Sequence, residues 1–178
     1  MKASVFIATS IDGFIADQNG NLDWLDVANK QVPEGEDCGF SAFMSSVDGL
    51  VMGRKTFEKV LSFGQWPYGE TKVIVLSHHE VSIPQHLKNT VSFSNESPKL
   101  LYQRLADDGL HHLYIDGGLT IQSFLRDDLI DEMIITKIPV LLGRGISLFG
   151  NLGRGLILEH IKTWSYDFGF IQSHYRIV

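Results

Sequence analysis

Apolar positions along this chain follow two alternating rhythms. Short runs rich in β-branched residues occupy residues 3–9 (ASVFIAT), 50–52, 72–77 (KVIVLS), 90–94 and 113–115, each suited to a short strand within a sheet. Between them, apolar residues recur at intervals of three and four: Phe40, Phe43, Met44 and Val47; Phe57, Val60 and Leu61; Leu100, Leu101 and Leu105; Ile121, Phe124 and Leu125. That spacing lines one face of a helix. Ser97-Pro98 is a good cap and first turn for the third of these helices, and Asp108-Gly109 ends it. Beyond residue 125 the helices stop. Residues 131–142 (DEMIITKIPVLL) read as a long strand with a bulge or edge at Pro139, and residues 156–163 and 168–178 read as a closing antiparallel pair.

Strand–helix alternation up to residue 125 predicts an α/β fold with a mainly parallel sheet, finished by antiparallel C-terminal strands. With no internal repeat and no low-complexity linker, one domain over residues 1–178 is expected. Two stretches break the rhythm. Residues 10–25 have turn chemistry at Asp12-Gly13 and Asn19-Gly20 yet carry Phe14, Ile15, Trp24 and Leu25, so they read equally as a lid or as a surface loop with its own apolar cluster. Residues 26–36 look irregular around Pro33 and Gly35, and a helix is expected from Asp37.

The candidate chemistry lies where strands turn into helices. Leu50-Val51-Met52 runs into Gly53, and Arg54-Lys55-Thr56 then opens a helix. The first turn of a helix has unpaired N–H groups and partial positive charge, so this junction is a candidate phosphate site as well as a plain turn with two solvated cations. Asp116-Gly117-Gly118, followed by Leu119 and Thr120, is a second junction of the same kind. Asp37 lies three residues before Phe40 and extends its apolar stripe. Its carboxylate then either points into a cleft or caps the helix, and the pattern alone slightly favours the cap.

Composition narrows the classes. With 178 residues, 44% hydrophobic and 20% charged, the chain is an ordinary globular one, and its net charge of −6 argues against a general nucleic-acid or anionic-membrane binder. A single cysteine, Cys38, excludes an internal disulfide, and none of the seven histidines has a metal-ligand spacing, so no metal is expected. Polar residues interrupt the N-terminal apolar run, and no stretch of about 20 apolar residues occurs. A cytoplasmic protein is expected. A P-loop fails because Asp48 stands where its first glycine belongs and Arg54 separates Gly53 from Lys55. The dinucleotide fingerprint fails at Leu148, which follows Gly143 and Gly145 where a third glycine is needed.

Five segments in order and spacing resemble the dihydrofolate reductase superfamily, and more closely its branch containing the C-terminal reductase domain of riboflavin-biosynthesis deaminase-reductases. They are residues 10–16 (SIDGFIA), 51–57 (VMGRKTF), 73–77 (VIVLS), 115–118 (IDGG) and 131–143. The resemblance spans almost the whole chain. It implies a three-layer α/β/α fold and NADPH as hydride donor. It places the pyrophosphate on Gly53, Arg54, Lys55 and Thr56, with Arg54 also at the 2′-phosphate. Ser77 and His78 would flank the adenosine ribose, and Gly117, Gly118, Leu119 and Thr120 would complete the phosphate cradle. Ala8 and Ile15 would line the nicotinamide, with Trp24 and Phe40 as walls for a planar substrate.

The same resemblance favours Asp37 as the single catalytic carboxylate, assisting protonation of a carbon–nitrogen double bond. The expected function is NADPH-dependent reduction of a small heterocyclic, imine or carbonyl compound. The runner-up is reduction of a ribosylaminopyrimidine phosphate, for which Lys137, Arg144 and Arg154 are the available cations. A non-catalytic nucleotide-binding protein is the alternative of another class. Asp23 before Trp24 and two rather than three glycines at the second junction depart from the folate-reducing pattern. A zinc deaminase half is excluded by the cysteine count. Relatives of the riboflavin type suggest a homodimer.

Overall fold

The computed structural model describes all 178 residues. An eight-stranded sheet runs through the molecule in the order β5-β4-β3-β6-β1-β7-β10-β9. Its parallel members are β1 (Lys2–Ser10), β3 (Gly49–Gly53), β4 (Lys72–Leu76), β5 (Val91–Ser94), β6 (His112–Asp116) and β7 (Glu132–Ile138). Two antiparallel strands, β9 (Leu158–Ser165) and β10 (Ile171–Ile177), close the sheet beside β7. A separate two-stranded ribbon pairs β2 (Phe14–Ala16) with β8 (Ile146–Ser147).

Side chains alternate across the sheet, so each strand feeds two cores. On one face Ala3, Val5, Val51, Ile74, Leu113, Ile115 and Met133 pack against Leu101 and Leu105 of α4 (Pro98–Asp107) and Ile121, Phe124 and Leu125 of α5 (Gly118–Arg126). On the other, Leu50, Met52, Val73, Val75 and Tyr114 meet Phe43 of α2 (Phe40–Met44) and Phe57 and Val60 of α3 (Arg54–Leu61). Helices on both faces make the three layers that the resemblance implied. Phe57 and Phe124 are fully buried at the centres of the two cores, where truncation to alanine costs about 3–5 kcal/mol.

Three boundaries differ from the sequence pattern. Residues 26–36 are not wholly irregular, because α1 (Asp23–Asn29) starts inside the expected loop and takes Trp24 and Leu25 with it. Helix α2 begins at Phe40 rather than Asp37, because Cys38 (φ 53°) and Gly39 (φ 82°) are left-handed and break the helical path. Strand β7 stops at Ile138 instead of reaching residue 142, since Pro139 has no N–H for the ladder and Val140 N–H turns back to the Ile138 carbonyl. No helix is long and apolar enough to cross a membrane.

Candidate active site

The sheet opens between β1 and β6. These strands pair only at Lys2–His112, Ala3–Leu113 and Ser4–Tyr114. Beyond that point β1 stays with β7 as far as Ser10–Ile138, while β6 stays with β3 as far as Met52–Asp116. The Phe6 carbonyl, left without a ladder partner on that side, accepts a hydrogen bond from the Tyr114 hydroxyl at 2.8 Å. A crevice between diverging strands, at their carboxyl ends, is where open α/β sheets receive ligands.

Two helix N-termini face this crevice, and their junctions interlock. A Cβ added at Gly117 would sit 2.3 Å from Thr56 Oγ1, and one added at Gly53 would sit 2.9 Å from Thr120 Oγ1. Each glycine therefore lies under the hydroxyl of the opposite helix, which brings the first turns of α3 and α5 together into one cradle of N–H and O–H donors. Gly117 has φ +89°, a conformation L side chains rarely adopt. The donor set fits a pyrophosphate, because free N–H groups, two threonine hydroxyls and the positive ends of two helix dipoles all favour an anion. Ile15 completes the wall, since a Cβ on Gly118 would approach its Cδ1 to 2.8 Å.

The other expected cofactor residues are distributed around this cradle. Arg54 Nη1 donates to Glu58 Oε1 at 2.7 Å, and Lys55 is exposed. Register Gly53–Leu76 sets Arg54 next to Ser77, with His78 following, so Arg54 lies one strand outward from the crevice and Ser77 and His78 lie two. Leu119 is 73% exposed and offers only its backbone to the cradle. Ala8 packs in a small cluster with Trp24, and Phe6 on the same face of β1 packs edge-on to Phe40 at 5.6 Å. The indole Nε1 of Trp24 is buried without a hydrogen-bond partner.

Of the two readings of Asp37, the structure shows the capping one. It is exposed, and its two carboxylate oxygens accept N–H groups of Gly39 and Ser41, each at 2.8 Å. Hydrogen bonds from Ser41 and then Gly39 hold its carboxyl below the ordinary carboxylate range. The left-handed Cys38-Gly39 pair takes Asp37 out of helical register with Phe40, so the capping geometry prevails.

The residue that sequence reasoning missed is Asp116. It ends β6 at the crevice, with Gly117 N–H donating to Oδ1 at 2.8 Å. Burial pushes its carboxyl up to about 6, against a smaller lowering effect from Gly117 N–H. The phenols of Tyr68 and Tyr114 are raised in turn by burial and by the Asp116 charge. A signal existed in the chain: an aspartate at the end of a buried apolar strand, directly before the Gly-Gly turn. A hollow of about 340 Å³ beside α2, lined by Ser4, His112, Glu132 and His174, belongs to the opposite, N-terminal end of the strands. Arg154 pairs with Asp128 past the C-terminal end of α5, well away from the cradle at its N-terminus.

Comparison with known proteins agrees with this architecture. Residues 2–171 match the RibD C-terminal domain. The uncharacterized Bacillus subtilis protein YwjB is 39% identical, over 98% of this chain and 97% of its own. A crystal structure from Shewanella sp. PV-4 superposes with a TM-score of 0.93 at 45% identity, covering 100% of this chain and 99% of that one. The Thermotoga maritima diaminohydroxyphosphoribosylaminopyrimidine deaminase/5-amino-6-(5-phosphoribosylamino)uracil reductase shares the fold, with a TM-score of 0.71 at 15% identity. It covers 99% of this chain, which spans 56% of that larger protein. The fold is the dihydrofolate reductase-like one expected from the motifs, and the chain belongs to the RibD C-terminal domain family.

Proposed function

We propose that this protein is an NADPH-dependent reductase of a small planar heterocycle of the aminopyrimidine or pteridine kind. The observation that carries the reading is the interlocked cradle of Gly53, Thr56, Gly117 and Thr120 at the mouth of the β1–β6 crevice. Its N–H and hydroxyl donors would hold the pyrophosphate, Arg54 with Ser77 and His78 the adenosine end, and Ala8 with Ile15 the nicotinamide. The bound nicotinamide would supply hydride, and the chain supplies the rest. Trp24 and Phe40 would wall the face of β1 where a ring would lie.

The proton is assigned to Asp116. A carboxyl pushed up to about 6 is poised to give and regain a proton near neutral pH, directly or through water, whereas exposed Asp37 remains ionised and engaged with its turn. The family membership supports an aminopyrimidine substrate; a ribosyl phosphate tail would have to find Lys137 or Arg144, since Arg154 is already paired. Exposed Leu158, Ile161 and Ile171 on the open β9–β10 hairpin support association with a second copy of the chain.

Titration of the protein with NADPH and NADH, read by reduced-nicotinamide fluorescence, tests the proposal. Tight NADPH binding, weakened about tenfold by Arg54→Ala, is expected. Binding of neither cofactor overturns the reductase reading. Cofactor binding with no turnover of any pteridine or aminopyrimidine, and no effect of Asp116→Asn, would instead favour a non-catalytic nucleotide-binding protein.

A further inference from the structure

The cofactor wall formed by Ile15 depends on a residue that touches neither crevice nor cradle. Fully buried Ser10 ends β1, the chain reverses through Ile11-Asp12-Gly13, and β2 returns with Ile15 against the first turn of α5. Nothing in the β2–β8 ribbon alone sets that approach, because the ribbon has two register pairs and an irregularity between them. The reversal is organised by the Asp12 carboxylate. Oδ1 accepts the Ser10 hydroxyl at 2.6 Å and Leu142 N–H at 3.2 Å, and Oδ2 accepts Gly143 N–H at 2.7 Å. The Ser10 oxygen, its proton given to Asp12, accepts Phe14 N–H at 3.0 Å.

Two further bonds tie the same segments together, Ile11 N–H to the Val140 carbonyl and Leu148 N–H to the Gly13 carbonyl. Asp12 is thus the one side chain that bonds both its own turn and the 142–143 turn. Breaking it frees two backbone N–H groups on one side and, through Ser10, loosens a third at the start of β2. The tip of the loop is held independently, by Asp17 accepting Asn19 and Asn21 N–H groups.

We propose that Asp12 is a positioning residue, which acts through Ser10 and Phe14 N–H to set Ile15 against Gly118 and so fixes the nicotinamide wall of the crevice. This rests on the cofactor reading above, and the experiment separates the two. Asp12→Ala, Ser10→Ala and the double variant are compared by NADPH affinity and by hydrogen exchange at Phe14–Ala16, with Asp12→Asn as a milder variant that keeps one acceptor oxygen. Each alanine variant is expected to weaken NADPH binding about tenfold and to speed exchange at Phe14–Ala16. The double variant is expected to lose no more than the larger single loss, because both changes cut the same chain of bonds. Asp12→Asn is expected to fall between wild type and Asp12→Ala.

Additive losses, or Asp12→Ala with unchanged exchange at Phe14–Ala16, overturn the proposal. If wild-type protein binds no NADPH, the cofactor reading fails by itself, while exchange at Phe14–Ala16 still decides whether Asp12 sets β2.

Discussion

Asp37 and Asp116 occupy sites that look alike along the chain. Each precedes a left-handed glycine that caps a helix: Gly39 (φ 82°) before α2 and Gly117 (φ 89°) before α5. The fold gives the two carboxylates opposite chemistry. Asp37 stands on a surface turn and accepts two N–H groups, so hydrogen bonding outweighs desolvation and its carboxyl is lowered. Asp116 ends a central strand, accepts a single backbone N–H, and burial lifts it to about 6. A carboxyl at such a turn holds its proton more tightly when the strand before it is buried and its surroundings return few donors.

The largest consequence is catalytic. Asp116→Asn is expected to lower turnover by about 100-fold or more, while Asp37→Asn changes it less than about threefold; steady-state kinetics on a reducible aminopyrimidine or pteridine reads both. Equal losses at the two sites would collapse the contrast. The glycines carry the same asymmetry into stability. Gly117→Ala drives a Cβ into Thr56 from a left-handed backbone and is expected to cost about 2 kcal/mol or more. Gly39→Ala meets nothing within 4 Å, so only backbone strain remains, about 1 kcal/mol. Denaturant unfolding of the two variants measures the difference.

pH sharpens the comparison further. The folded-state carboxyl of Asp116 is raised, so its ionised form burdens the fold above about pH 6, and the burden fades as pH falls toward 4. Asp116→Asn is therefore expected to stabilise the protein by about 2 kcal/mol at pH 8 and by nothing near pH 4. Urea unfolding across that range checks the sign. Asp37 has the reverse linkage: its depressed carboxyl supports the fold above the unfolded-state value, and the support is lost as pH falls through the folded-state one. The smallest expected effect is accordingly that of Asp37→Asn, a slight loss of thermal stability at neutral pH that disappears in acid.

Much of the scaffold was legible without coordinates, because strand and helix periodicities depend on nearest neighbours along the chain. The apolar runs became β1, β3, β4, β5 and β6, and the stripes at Phe57, Leu101 and Ile121 became the buried faces of α3, α4 and α5. Gly53 and Gly117 announced two anion-type junctions, since strand, glycine and helix start are local features. Local pattern started α2 three residues early, at Asp37, because no periodicity encodes the two left-handed residues before Phe40; its slight preference for a cap at Asp37 agrees with the observed turn.

What the chain by itself determined is an α/β sheet with two strand–glycine–helix junctions, since the residues that make each one are contiguous. Tertiary structure alone decided that the two junctions interlock through Thr56 and Thr120. It also decided that β1 and β6 part after Ser4, and that Asp116 is partly buried beside two tyrosines while Asp37 faces water. The physical reason is one of range. Helix capping and strand propensity act over a few residues, whereas desolvation depends on everything the fold brings within several ångströms of a charge.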